Sequence, residues 1–387
     1  MNISKKLFAG FGVALALISF GSCGNGNLTE SGLDPAKFDT IINNKQVKLF
    51  VLKNGTTEVC VTNFGGRVVS ICVPNKNGAP TDVVLGYDNI AQYADSVNSP
   101  SDFGAAIGRY ANRINKGVIT VGGKKIQLPQ NNYGHCLHGG PSGWQYQVYE
   151  AEQVNDTTLR MVLNSPDGDN NFPGNVTATV TYTLTSDNAL DMTFEATTDA
   201  ETVVNMTNHS YFNLSGDPTK AGTNMVLYIN ADKYTPSDST FMTTGEIKDV
   251  YGTPMDFTKR HALYETIGDT SFVQIKNANG YDHNWCLNTY KDGKGDENKI
   301  AATLYSPESG ISVDVYTNEP GIQVYTGNFL NGTVKGKKGI AYPQRSAVCL
   351  ETQKYPDSPN KEKWPSPYLK PGEKYYSHVV YKFSVKE

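Results

Sequence analysis

The sequence has no excess of basic charge. Its 34 Lys and Arg stand against 38 Asp and Glu, a formal net charge of −4. Nucleic acid would want a basic face, so that class of partner is set aside. Metal-type cysteine spacing is also missing. No C-x-x-C pair occurs, and the five cysteines after Cys23 (Cys60, Cys72, Cys136, Cys286, Cys349) are an odd set that leaves at least one free. Most lie in apolar, strand-like contexts, where a thiol behaves as a small buried hydrophobe. The expectation is no disulfide framework and no zinc site. Apolar repeats at helical spacing are nearly absent past the N-terminus, although "DNIAQYADSV" suits a helical turn or two. No Pro/Ser-rich linker and no fixed-period repeat divides the chain.

What is present is alternation. In "NVTATVTYTLTSDNALDMTFEATTD", Val176, Ala178, Val180, Tyr182 and Leu184 alternate with threonines. After a turn, Leu190, Met192, Phe194 and Ala196 alternate with Asp191, Thr193, Glu195 and Thr197. This is a two-strand meander with one wet and one dry face. Similar short strands, punctuated by Gly, Asn, Asp and Pro turns, run to "VVYKFSV" at the end. The pattern predicts an all-β fold, a large antiparallel sandwich or barrel over residues 38–387. The N-terminus reads differently. Lys5 and Lys6 precede an apolar run, Leu7 to Phe20, shorter than the about 20 residues that span a bilayer. Residues 1–23 read as an export signal. The Phe20-Gly21-Ser22-Cys23 junction resembles a bacterial lipoprotein cleavage site, with Cys23 as the lipidated residue. Residues 24–37 read as a flexible tether.

Five segments carry polar groups where a strand should be plain. "FGAAIGRYANRINKG" holds Arg109 and Arg113 around Asn112, forks of donors suited to sugar oxygens or to ordinary surface use. "NNYGHCLHGGPSGW" holds His135 and His138. Their spacing is one a metal site can use, but no carboxylate or third His stands nearby, so a single His bonding a ligand is the better reading. The following glycines let backbone approach closely. In "NMTNHSYFNLSG" the strand phase puts Asn205, Thr207 and His209 on one face, and a structural and a functional His209 are equally compatible with that. "NGYDHNWCLN" sets Asp282 and His283 between Tyr281 and Trp285, a carboxylate beside aromatic faces. "SAVCLETQKYPDSPN" ends an apolar strand on Glu351, whose desolvation would raise its pKa unless an ion pair holds it.

Taken together, "NFGGRVVSICVPNKNGAPTDVVLGYDN", "IGRYANRI", "HCLHGG", "TNHSYFNLSGD", "NGYDHNW", "VYTNEPGIQVYTGNFL" and "CLETQKYPDSPN", in that order, resemble the aldose 1-epimerase (galactose mutarotase) family. The resemblance implies a galactose mutarotase-like supersandwich and interconversion of α and β anomers of free hexoses such as galactose and glucose, with no cofactor or metal. Carried over motif by motif, it makes Glu351 the general base and His209 the general acid. His138, Arg113, Asn112, Asp282 and Gln323 would hold the sugar. "TNEPG" departs from the family by carrying Glu319, expected as an extra acid near the groove rim. The implied partner is a monosaccharide, the protein a monomer or dimer. Its place would be outside the cytoplasm, periplasmic or held at the membrane only through the N-terminal lipid. The competing readings are a non-catalytic carbohydrate-binding lipoprotein on the same fold and an epimerase of phosphorylated hexose. The latter would want a basic cluster beyond Arg109 and Arg113.

Overall fold

The alternating threonine strands pair as the pattern demands. In the computed structural model, which describes residues 28–99 and 101–386, Val176–Leu184 runs antiparallel to Ala189–Thr198, from Val176 opposite Thr198 to Leu184 opposite Leu190. Burial alternates residue by residue along Val176–Leu184 and, on its partner, from Leu190 to Thr197. The pair sits within a nine-stranded sheet in the order Glu150–Asn155, Thr158–Ser165, Val176–Leu184, Ala189–Thr198, Tyr375–Val385, Ile311–Thr317, Ala302–Tyr305, Val226–Ile229, His261–Ala262. The C-terminal strand is therefore central, flanked on both sides.

A six-stranded sheet follows the order Tyr211–Phe212, Val348–Gln353, Gly321–Tyr325, Asp282–Cys286, Lys233–Thr235, Lys248–Asp249. A four-stranded sheet holds Leu49–Asn54, Thr57–Thr62, Arg67–Pro74 and Pro80–Asp82. Strand pairing in all three is antiparallel. Their dry faces meet in one apolar cluster: Phe194, Tyr381 and Phe383 from the first sheet, Trp285, Ile322 and Leu350 from the second, Leu52, Val59 and Val68 from the third. Each such side chain contributes about 1.5–3 kcal/mol by leaving water. Tyr381 does more than fill space. Its ring meets Phe212 edge-on at 5.0 Å, and its hydroxyl donates to the Leu350 carbonyl at 2.8 Å. That bond ties the nine-stranded sheet to the backbone beside Glu351.

The helical turn expected in "DNIAQYADSV" forms over Ile90–Ala94, capped by Asn89, which accepts from the Gln92 N–H. A second short helix, Val273–Ala278, was not predicted. Six residues are too few for a 3.6-residue period to show. Among the described residues the five cysteines are free thiols, four of them buried.

The tether reading fails where the structure describes it. Residues 28–37 lie against the four-stranded sheet instead of leaving it. Leu33 is buried, the Glu30 N–H donates to Glu58 Oε1 at 2.7 Å, and the Ser31 hydroxyl bonds the Ser70 hydroxyl at 3.0 Å. The polar composition of "TESGLDPAK" concealed one apolar anchor and an Asp34 cap on the turn Pro35–Phe38. Cys23, the export signal and residues 24–27 lie outside the described residues.

Candidate active site

All five polar segments, far apart in sequence, deliver polar groups to one pocket of about 300 Å³. Glu351 comes from Val348–Gln353, a strand buried at every residue and held between Tyr211–Phe212 and Gly321–Tyr325. His209 ends the short strand Thr207–His209, which pairs with Ala105–Ile107. Val204 and Met206 point the other way, into the main core, as the strand phase requires. The two side chains meet: His209 Nε2 lies 3.5 Å from Glu351 Oε1, with the side chains 5% and 2% exposed. Among the described residues, neither His209 Nδ1 nor Glu351 Oε2 has a hydrogen-bond partner. Buried polar atoms without partners are costly, so a pair of them at a pocket floor marks a site for a polar ligand.

His138 stands beside them, its ring 5.2 Å from that of His209. It and Asn112 clamp each other. His138 Nδ1 accepts the Asn112 N–H at 3.1 Å, and the His138 N–H donates to the Asn112 carbonyl. Both residues hold a positive φ, +51 for His138 and +63 for Asn112, an arrangement that costs of order 1–3 kcal/mol apiece and persists where the surroundings enforce it. Gly139 is part of that enforcement. At φ +80, a Cβ there would fall 2.2 Å from the Gly108 carbonyl oxygen. Gly139 thus admits the "IGRYAN" backbone, and a Cβ on Gly140 would meet the Asn170 side chain at 2.9 Å, so neither glycine is needed for a ligand. Arg113 presents its guanidinium to the pocket while Nε donates to Asn132 Oδ1 at 3.0 Å.

Burial and neighbouring charge set the proton affinities. Burial pushes the Glu351 carboxyl well above its ordinary value, reinforced by the negative charges of Asp282 and Asp102 and opposed by Arg113. Burial lowers His209, against the pull of Asp102. It lowers His138 to about 3, so that imidazole is neutral at any working pH. With Nδ1 accepting, its proton sits on Nε2, which can donate to a ligand oxygen. Asp102, His138 and His209 bring donor atoms within 4.8 Å of one another, as do His209, Cys349 and Glu351. The second trio would need a thiolate, and burial pushes the Cys349 thiol well above its ordinary value. In the first, His138 Nδ1 is already occupied.

Residues 48–382 match the family described as Aldose 1-epimerase. The chain belongs to the aldose 1-epimerase family. It is 40% identical over 339 residues to mouse galactose mutarotase, covering 88% of this chain and 94% of that protein. It is 37% identical over 340 residues to the aldose 1-epimerase of Escherichia coli K12, covering 87% and 95%. The GalM/aldose epimerase homologue from C. elegans superposes with a TM-score of 0.80 at 30% identity, over 88% of this chain and all of that one. The enzyme is an isomerase of this family, and its antiparallel β fold is the family's.

Of the residues singled out in the epimerase sequence, Glu351, His209, His138, Arg113, Asn112 and Asp282 line the pocket. Gln323 does not: it stands behind the wall, donating to Asp282 Oδ1 at 2.7 Å. Arg109 is a buried strut, bonded to the carbonyls of Pro173 and Gly174 and to the Ser165 hydroxyl. His135 is structural, accepting from the Lys116 N–H and bonding Thr240. Glu319 is not at a rim. It is buried, 3.1 Å from Lys354 Nζ and 3.5 Å from the Tyr375 hydroxyl, which in turn accepts the Met206 N–H. That network joins the chain just after Glu351 to the stretch leading into His209.

Asp102, Tyr211 and Tyr325 line the pocket and were missed. "SPSDFG" reads as plain loop, and the tyrosines read as strand aromatics, so only the fold could reveal them. Asp102 has a measurable consequence. Its charge raises both Glu351 and His209, so removing it lowers both. Asp102→Asn should therefore move both limbs of the pH–rate profile to lower pH. A profile that stays in place, or moves toward alkali, would contradict that electrostatic role.

Proposed function

We propose that the pocket interconverts the α and β anomers of a free hexose, galactose or glucose, by opening and reclosing the ring. The observation that carries this is the contact of His209 Nε2 with Glu351 Oε1 at a buried floor. The anomeric hydroxyl and the ring oxygen share one carbon, so an acid and a base that serve both must be close neighbours. Glu351 takes the proton of the C1 hydroxyl as His209 gives one to the ring oxygen, and the C1–O5 bond breaks to an open aldehyde. Rotation about C1–C2 presents the other carbonyl face. Reclosure runs the two transfers backwards. Burial raises the carboxyl and lowers the imidazole, which draws their proton affinities together. A matched pair passes protons in either direction at small cost, as a reaction without a preferred direction requires. His138 donates from Nε2 to the ring-oxygen side and does not compete for the proton. Arg113, Asn112 and Asp282 hold the remaining hydroxyls, with Gln323 orienting Asp282.

Polarimetry of freshly dissolved α-D-glucose or α-D-galactose tests this. The enzyme should accelerate the approach to equilibrium and Glu351→Ala should not. Equal rates for the two proteins would favour the carbohydrate-binding alternative. The N-terminal pattern supports export and lipidation at Cys23, which would place the enzyme among incoming sugars in the periplasm or at the envelope. Mass spectrometry of the mature N-terminus checks that part: an unmodified residue downstream of Cys23 removes the lipid.

A further inference from the structure

One carboxylate of the pocket takes no proton and holds no hydroxyl in the ring-opening scheme. Asp102 is half-buried and lines the pocket. A carboxylate oxygen comes within 4.8 Å of ring nitrogens of both His138 and His209, and Glu351 stands outside that trio. Asp282 holds the complementary place. Its charge weighs on Glu351 more than that of Asp102 does, whereas Asp102 weighs more on His209 and also acts on His138. The two acids therefore flank the Glu351–His209 pair, Asp282 at the carboxylate end and Asp102 at the imidazole end.

The backbone under Asp102 is fixed on both sides. Buried Arg67 donates from Nη1 to the carbonyls of Ser101 and Phe103, at 3.2 and 3.1 Å. The Phe103 ring meets Tyr211 edge-on at 4.8 Å, and Tyr211 stacks on His209 at 5.0 Å. The Gly104 N–H donates to the His209 carbonyl at 2.9 Å. At φ +66, a Cβ on Gly104 would fall 1.8 Å from the Val68 carbonyl oxygen, so only glycine lets the chain press this closely. All these bonds run through backbone or through neighbours. Among the described residues none reaches the Asp102 carboxylate. A charged acceptor on a rigid support, with no partner in the protein, is arranged for a ligand donor.

We propose that Asp102 is a specificity residue that accepts the C6 hydroxyl of the sugar, so that the enzyme selects hexopyranoses with a free C6 hydroxyl over pentoses, 6-deoxyhexoses and hexose 6-phosphates. The inference rests on the mutarotase reading of the floor, which puts the ring oxygen at His209 and His138. C5 is bonded to that oxygen on the side away from C1, and C5 carries the C6 hydroxyl. A carboxylate at the imidazole end is thus the group that this hydroxyl meets. An ionised carboxylate only accepts, and its bond to a hydroxyl is stronger than a neutral one. Facing a methyl or no C6 at all, it loses that bond. Facing a phosphate, it repels a like charge.

Anomer exchange measured by NMR at subsaturating glucose, 6-deoxyglucose, xylose and glucose 6-phosphate tests this. In the wild type, kcat/KM for glucose should exceed that for each of the other three by about tenfold, the value of one hydrogen bond to a charged group. Asp102→Ala should bring glucose and 6-deoxyglucose within about twofold of each other, since the lost bond was their whole difference. Asp102→Asn keeps an acceptor oxygen without the charge. It should retain part of the preference against 6-deoxyglucose and relax the exclusion of glucose 6-phosphate. The ratio between sugars is the readout, because a change in acid–base power or in folding falls on all of them alike. A wild type that treats glucose and 6-deoxyglucose equally, or a preference that survives Asp102→Ala, overturns the assignment and leaves the mutarotase reading standing. So does a wild type that exchanges glucose 6-phosphate as fast as glucose. No acceleration of any sugar overturns both.

Discussion

Glu351→Gln should lower kcat on a free hexose by about 10²- to 10⁴-fold, the usual contribution of one general acid–base group, with KM little changed. That corresponds to roughly 3–5 kcal/mol of barrier. The amide keeps the size of the carboxyl and cannot accept the C1 proton. It also removes a buried acid whose charge the site disfavours, so the thermal midpoint should hold or rise. Activity and stability then move in opposite directions, which separates loss of chemistry from loss of fold. His209→Asn should cost a similar factor. The double variant should be hardly slower than either single one, because the two groups act as a unit. A drop below tenfold in Glu351→Gln, measured by polarimetry, would remove the carboxylate from the mechanism.

The second large effect is on stability in acid. In the unfolded chain His138 titrates near 6.5, whereas folding lowers it to about 3. A depressed folded value contributes stability that is present above 6.5 and lost as pH falls toward 3. At about 1.4 kcal/mol per tenfold, full protonation would cost roughly 5 kcal/mol. His283, buried and lowered to about 4, adds in the same direction. Glu351 opposes them: its raised carboxyl favours the folded state below 4.5 and withdraws that support as pH rises. The net expectation is a steep loss of stability between pH 6.5 and 4. His138→Gln should flatten the slope of unfolding free energy against pH, measured by urea titration, whatever it does to the value at pH 7. An unchanged slope would mean that His138 is not desolvated as its surroundings imply.

The fold was legible because its signal is local. Thr177, Thr179 and Thr181 alternating with Val176, Ala178 and Val180 specify one wet and one dry face wherever the strand lies. The site was legible in part for the same reason: the strand phase put His209 opposite Met206, and Glu351 at the end of an apolar run. Other readings failed where neighbours decide. Arg109 and Arg113 are four residues apart and look alike, yet one is a strut for a loop and the other faces the pocket. Gln323 and Asp282 both belonged to the predicted sugar-binding set, and only one reaches the wall. Glu319 read as a rim acid and is a buried partner of Lys354. Leu33 turned an expected tether into packed structure.

By itself the sequence determined the antiparallel β class, the identity of the acid and base candidates and the family they resemble, because periodicity and motif order are written along the chain. Only the tertiary structure decided that His209 and Glu351 touch, that His138 is neutral with its proton on Nε2, and that Asp102 stands beside the two imidazoles. Those properties depend on desolvation and on contacts across hundreds of residues, and no local pattern encodes either.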